Sequence, residues 1–251
     1  MARPKILLVP EITELQWAIR PQLDEWAEVA SYDPPGIGDE PAPDEPTPEV
    51  IRERFRESII DRGIAEVEGR GWDRFFIAAD GWAQPCAAQI AERKSDAVIG
   101  MALGHASLSL ARSGERPAYN PEVYAAVSEL VGKDTTAFLR HGISQATHGS
   151  VDEELAEKIV ERIPTELLAD GWKALTADEP FGEILLNLDC PILLAKHEGC
   201  LMSTEEGFED AAAALPDAGT VVVPGAPSVD PEFASTLRTF CERVETGRSG
   251  S

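Results

Sequence analysis

Basic charge is scarce in this chain: 22 Lys and Arg stand against 45 Asp and Glu in 251 residues, a formal charge of −23 at neutral pH. Such a surface repels a nucleic-acid backbone and an anionic membrane alike, so both classes of partner are excluded. The same balance is that of a highly soluble protein, or of one built for a salty cytoplasm. Long apolar runs are also missing, and no stretch reaches the length needed to span a bilayer. Cysteine is limited to Cys86, Cys190, Cys200 and Cys241, far apart and without a CxxC pair, which argues against a disulfide framework. The opening MARPKILLVP holds no signal-peptide apolar core, so a reduced, cytoplasmic setting is the expectation. Gly247 to Ser251 reads as a frayed tail.

What the chain does contain is alternation. Ile6–Val9 is a short continuous apolar run closed by Pro10, the pattern of a strand buried on both faces of a parallel sheet. Helical spacing follows over Trp17–Trp26, then a strand at Glu28–Tyr32 and a glycine turn through Gly38. The acidic, proline-rich stretch from Gly38 to Pro48 predicts an exposed loop, and Pro48–Val67 a charged amphipathic helix. Further strands are expected at Phe75–Ile77, Asp96–Leu103, Pro191–Ala195 and Thr220–Val223, with final helices at Thr204–Leu215 and Pro231–Val244. Residues from about 107 to 183 lack strand-like runs and carry helical patterns at Pro121–Val131, Thr135–Thr147, Asp152–Ile163 and Glu166–Leu175, which suggests an inserted helical cap. The expectation is a single α/β domain over residues 1–251, a mostly parallel doubly wound sheet bearing that cap.

Several landmarks fall in a familiar order. Asp33-Pro34-Pro35-Gly36-Ile37-Gly38 is similar to a D-x-P-G-x-G turn, Gly71-Trp72-Asp73-Arg74 precedes an apolar strand, and Ala78-Ala79-Asp80-Gly81-Trp82-Ala83-Gln84 leads from that strand into an alanine-rich helix. Cys190-Pro191-Ile192-Leu193 and Val223-Pro224-Gly225-Ala226-Pro227-Ser228 complete the series. Together they resemble the α/β-hydrolase superfamily over nearly the whole chain, in its capped branch of epoxide hydrolases, dehalogenases, carbon–carbon hydrolases and esterases. The resemblance implies a nucleophile at the strand-to-helix elbow, an acid after the late strand and a histidine in the last loop.

Those positions carry other residues. Two registers are open at the elbow: matching Trp82-Ala83 to the family's W-G puts Gly81 at the apex, while the epoxide-hydrolase register puts Asp80 there and Trp82 where a small residue is usual. The acid position falls on Cys200 and the histidine position on Ser228, so Gly81, Cys200 and Ser228 mark a vacant triad, since neither a thiol nor a hydroxyl can do the work of the acid or the imidazole. The oxyanion loop of the family corresponds to Pro10-Glu11-Ile12, where Glu11 would set negative charge beside a developing oxyanion.

Chemistry, if present, is expected from Asp80 and His105. A carboxylate at the top of a parallel sheet would be desolvated and its pKa raised, making Asp80 a base or nucleophile; alternatively Asp80 caps the following helix. His105 follows the strand ending at Gly104 and faces the ligand side of such sheets, as base or as pocket wall. His141 and His148 belong to the cap. His197-Glu198-Gly199-Cys200 has metal-friendly types but lacks further spaced ligands, so no metal and no cofactor is expected, and Cys200 beside His197 is a sharper idea with unproven geometry. Trp82 and Trp17 read as pocket or core aromatics. The leading expectation is a pseudoenzyme that binds a small, mostly apolar molecule under the cap; the alternative is a lyase, isomerase or unusual hydrolase using Asp80 with His105. A homodimer is compatible with the sequence.

Overall fold

The computed structural model describes residues 3–11, 16–34, 36–38, 48–107, 119–134, 136–140, 181–200 and 203–247, with isolated positions at 154, 157, 158, 161 and 174. Within them runs a six-stranded sheet: β1 (Lys5–Val9), β2 (Glu28–Ser31), β3 (Phe75–Asp80), β4 (Val98–Gly104), β5 (Ile192–His197) and β6 (Gly219–Val223). Its order is β2-β1-β3-β4-β5-β6, and every neighbouring pair is parallel. The helices with defined bounds are α1 (Arg20–Asp24), α2 (Pro48–Gly69), α3 (Gln84–Arg93), α4 (Pro121–Lys133), α5 (Gly182–Leu186), α6 (Glu205–Ala214) and α7 (Pro231–Glu245). The expected strands and late helices are therefore all present, with ends shifted by up to three residues.

Alternation along each strand divides the core into two apolar layers, because successive side chains of a strand point to opposite faces. Leu7, Val9, Phe75, Ile77, Met101, Leu103 and Leu194 pack on one face with Phe55 and Ile59 of α2 and Ala87 and Ala91 of α3. Ile6, Leu8, Phe76, Ala78, Ala102 and Leu193 pack on the other with Leu23 of α1 and Phe233, Leu237 and Cys241 of α7. Continuous apolar strands are thus what a sheet covered on both faces requires.

Small residues set the closest approaches. Ala87, Ala88 and Ala91 are fully buried where α3 meets the sheet, and at Gly100 a Cβ would stand 2.9 Å from the Phe76 ring. Gly36 (φ 81°) and Gly38 (φ 61°) make the left-handed turns expected after β2. One expectation needs correction: the helical spacing of Trp17–Trp26 yields only the short α1, with Pro21 in its first turn, and Trp17 instead donates its indole N–H to the Val9 carbonyl at 3.2 Å.

Of the cap segment, α4 is present and is capped by the Asn120 side chain, which accepts from the N–H groups of Glu122 and Val123. Immediately before it, Tyr119 forms an antiparallel bridge with Ser203 in the loop after β5. Of the expected helices over 152–163 and 166–175 only the isolated positions 154, 157, 158, 161 and 174 are described, each helical, and the loop over 39–47, His141, His148 and residues 248–251 lie outside the described residues. No helix among the described residues is long and apolar enough to cross a membrane.

Candidate functional site

The carboxyl ends of β3, β4 and β5 lie side by side, and each delivers one polar side chain to the same spot. β3 ends on Asp80, β4 is followed by His105, and β5 ends on His197 with Cys200 three residues further on. Neighbouring strands run about 4.8 Å apart, so the middle residue can reach partners on both sides.

Asp80 keeps extended backbone (φ −125°, ψ 146°), and Gly81 makes the turn at φ 54°. The strained corner of the elbow is therefore a glycine, which adopts this conformation without a Cβ penalty. Asp80 is buried, and its side chain makes no capping bond to the helical turn that follows. Its Oδ1 accepts from His105 Nδ1 at 2.6 Å and its Oδ2 accepts from the Ser228 backbone N–H at 3.1 Å. The Asp80 pKa was expected to rise. Burial does push it up, but the His105 charge and the hydrogen bonds from His105 and Ser228 outweigh this and hold Asp80 below the ordinary carboxylate value. It is a fixed anion with both oxygens engaged.

Space for that carboxylate is provided by Gly104, where a Cβ would sit 2.4 Å from Asp80 Oδ1 and 2.8 Å from Pro227 Cγ. His105 then takes a left-handed backbone (φ 51°), rare outside glycine and typical of residues held in place for function. The buried Gln84 secures this turn: its Nε2 donates to the Gly81 carbonyl at 2.8 Å and the His105 carbonyl at 3.1 Å, while its Oε1 accepts from the Ser107 N–H at 3.1 Å.

With Nδ1 committed to Asp80, His105 presents Nε2 to the other side. There it meets His197 Nδ1 at 3.4 Å, and the Cys200 sulfur lies with these two imidazoles in a group whose ligand atoms all fall within 4.8 Å. The rings of His105 and His197 meet edge to face at 75°. Burial disfavours charge on His105, yet the Asp80 carboxylate and the Cys200 thiolate raise its pKa well above the usual imidazole range. Burial likewise opposes ionisation of Cys200, but His105 and hydrogen bonds with His105, His197 and Ser203 bring it down to about 4. A thiolate–imidazolium pair backed by a carboxylate results, the electropositive setting in which cysteines become nucleophilic. The other cysteines behave as core thiols: burial pushes Cys86 up to about 12 and Cys190 to about 11.

Glu11 fills the elbow itself. Its Oε2 would lie 2.6 Å from a Cβ at Gly81, the space a nucleophilic side chain would need. It accepts a hydrogen bond from the Trp82 backbone N–H, the group that in an elbow enzyme would face the oxyanion. Burial, then the Asp80 charge, raises its pKa to about 8, against smaller lowering effects of His105 and Trp82. Glu11 is thus protonated at neutral pH, so the negative charge expected here is absent. Ile12 lies outside the described residues. Trp82 is buried and stacks on Tyr119, ring centroids 5.0 Å apart at 19°.

The structure therefore brings together Asp80 and His105, with Cys200 beside them, while Glu11, Gly81 and Trp82 form the adjacent plugged elbow. Ser228 supplies backbone and hydroxyl bonds to Asp80. The sequence did not point to Gln84 or Tyr119 as parts of this site; a glutamine immediately after the elbow, at the start of α3, was the only signal for the former.

A parallel sheet in this order, with an elbow after the third strand, defines an α/β-hydrolase fold. Solved structures agree. The chain superposes on the esterase RhEst1 from Rhodococcus sp. ECU1013 with a TM-score of 0.76 at 16% identity, covering 97% of this chain and 92% of that one. On a hydrolase from Oleispira antarctica the values are 0.75 at 13% identity, covering 96% and 92%. On 2-hydroxy-6-oxo-6-phenylhexa-2,4-dienoate hydrolase from Rhodococcus sp. strain RHA1 they are 0.74 at 16%, covering 96% and 91%. No family model matches the sequence, and no curated protein sequence matches it.

Proposed function

We propose that this protein is a thiol-dependent acyl-transfer enzyme on an α/β-hydrolase fold, with Cys200 as nucleophile, His105 as acid–base and Asp80 as the residue that orients His105. The observation that carries it is the 2.6 Å bond from His105 Nδ1 to Asp80 Oδ1, which turns the second imidazole nitrogen towards the Cys200 side. This is the arrangement of nucleophile, base and orienting carboxylate that covalent catalysis requires, recognised by roles and not by sequence position. It favours the alternative of an unusual hydrolase over binding without turnover. Within that alternative it assigns attack to the cysteine, because both Asp80 oxygens are already held.

The substrate class is a small molecule with an ester, lactone or thioester carbonyl. Cys200 Sγ bonds to the carbonyl carbon, the bond to the leaving group breaks, and His105 Nε2 gives that group its proton. A thioester to Cys200 is left. Water then attacks it, His105 takes the water proton, and the released thiolate recovers the starting ion pair. Glu11 and Gly81 take no part in the attack: with Glu11 in the nucleophile's space, the elbow route is closed.

The test is acylation by p-nitrophenyl acetate in the presence of a metal chelator, followed by intact-mass and peptide analysis. One acetyl group per chain on Cys200, absent from Cys200→Ala, is expected. Hydrolysis that continues undiminished in Cys200→Ala overturns the assignment, and no acylation of the native protein by activated esters or thioesters returns it to a binding role.

A further inference from the structure

The acyl-transfer scheme uses one nitrogen of one imidazole, yet two imidazoles and a thiol converge. His197 is buried at the end of β5 with Nδ1 pointing at His105 Nε2, 3.4 Å away. Two nitrogens bound to one tetrahedral zinc ion at about 2.0–2.1 Å stand about 3.4 Å from each other, so this pair is already spaced as two ligands. Cys200 Sγ completes a three-cornered group whose ligand atoms all lie within 4.8 Å of one another. Asp80, bonded to Nδ1 of His105, orients the ring so that Nε2 can ligate once its proton is displaced, as carboxylates do behind metal-bound histidines. Two imidazoles and a thiolate select borderline-soft cations over Mg²⁺ and Ca²⁺.

We infer that His105, His197 and Cys200 form a binding site for a thiophilic divalent cation of the Zn²⁺ class, and that its occupancy holds the thiol chemistry off. The regulatory half rests on the acyl-transfer assignment; the site itself stands on the three ligands. Loading exchanges the proton shared between His105 Nε2 and Cys200 Sγ for the cation, with no change of oxidation state. The thiolate lone pair that would attack a carbonyl is then committed to the ion.

Zinc titration of the chelator-treated protein, in competition with a chromogenic chelator, tests this. One ion per chain is expected, with Mg²⁺ and Ca²⁺ unable to compete, and affinity reduced at least a hundredfold in Cys200→Ser and at least tenfold in His197→Ala. Cobalt loading of the native protein gives a thiolate-to-metal absorption band that Cys200→Ser lacks. One equivalent of Zn²⁺ slows iodoacetamide labelling of Cys200 at least tenfold, and excess chelator restores it, with the buried Cys86 and Cys241 as internal controls. Failure of the native protein to bind Zn²⁺ stoichiometrically, or equal affinity in Cys200→Ser, overturns the site; the first needs no variant to fold. Acetylation of Cys200 in chelator without zinc binding refutes only the metal site. Zinc binding through the three ligands without acetylation supports the site and refutes the acyl-transfer assignment.

Discussion

Replacing Glu11 by Gln changes how stability depends on pH, and the size of the effect follows from where the carboxyl sits. In the unfolded chain Glu11 titrates near the ordinary value of 4.5; in the folded protein, burial and the Asp80 charge raise it to about 8. Between those values the folded state binds one proton more than the unfolded state, so this group makes stability fall as pH rises. The loss begins near pH 4.5, grows by about 1.4 kcal/mol per pH unit, and is complete above pH 8, for a total of up to about 5 kcal/mol. Because Glu11 keeps partial access to solvent, about 2–4 kcal/mol is the expected span. Glutamine keeps a carbonyl oxygen for the Trp82 N–H and carries no ionisation. Urea unfolding of both proteins at pH 5.5, 7.0 and 8.5 is the assay. The stability of Glu11→Gln relative to the native protein should climb steadily across that series, most of it gained by pH 8.5. Parallel stability curves would refute the argument, since they would mean that Glu11 ionises in the folded protein as it does in the unfolded chain.

Other perturbations follow from the same geometry. Gly104→Ala drives a Cβ to 2.4 Å from Asp80 Oδ1, so about 1–3 kcal/mol of stability and most of the Cys200 acylation rate are expected to be lost together, read by urea melts and stopped-flow acylation. Gly81→Ser restores a hydroxyl at the elbow but places its Cβ against Glu11 Oε2 on a left-handed backbone; it should destabilise by about 1–3 kcal/mol and yield no serine acylation by mass spectrometry. Asp80→Asn removes the negative charge that faces His105 and leaves one acceptor where Asp80 uses two, and should slow acylation at least a hundredfold while the far-ultraviolet circular dichroism spectrum is retained. Leu194→Ala, in the fully buried centre of β5, should cost about 2–5 kcal/mol in the same urea assay.

The fold was legible because the inner strands β1, β3, β4 and β5 are buried on both faces and so appear as apolar runs, as at Ile6–Val9 and Met101–Leu103. Local signals also located the glycine turn after β2 and the ends of α2, α6 and α7. The site was legible only in part. Asp80 and His105 were picked out singly from their strand ends, yet their bond spans 25 positions and Cys200 lies much further along, a pairing that register between strands creates. The ionisation states went the other way from expectation for the same reason. Desolvation is readable from a buried strand end, whereas the strong opposing charge of His105 beside Asp80, and its weaker effect on Glu11, are properties of the assembled sheet.

Sheet order explains how the proposed constellation can be assembled without the usual elbow nucleophile. An acyl-transfer site needs a carboxylate, an imidazole and a nucleophile in line, with the imidazole in the middle and a hydrogen-bond length to either side. Three adjacent parallel strands supply that spacing wherever their carboxyl ends carry the three groups, and β3, β4 and β5 are adjacent here. Placing the histidine on the middle strand then fixes the roles of its neighbours: the side that offers a buried, doubly bonded carboxylate becomes the anchor, and the side that offers a polarisable thiol becomes the attacking end. Ser228, from the loop after β6, holds the anchor by its N–H at 3.1 Å. Glu11 closes the old apex with a carboxyl that is neutral at neutral pH, so no further negative charge is set beside Asp80. Under the proposed assignment an aspartate at the end of β3 serves acyl transfer as an anchor: its lowered pKa and its two held oxygens keep the imidazole turned to the Cys200 side.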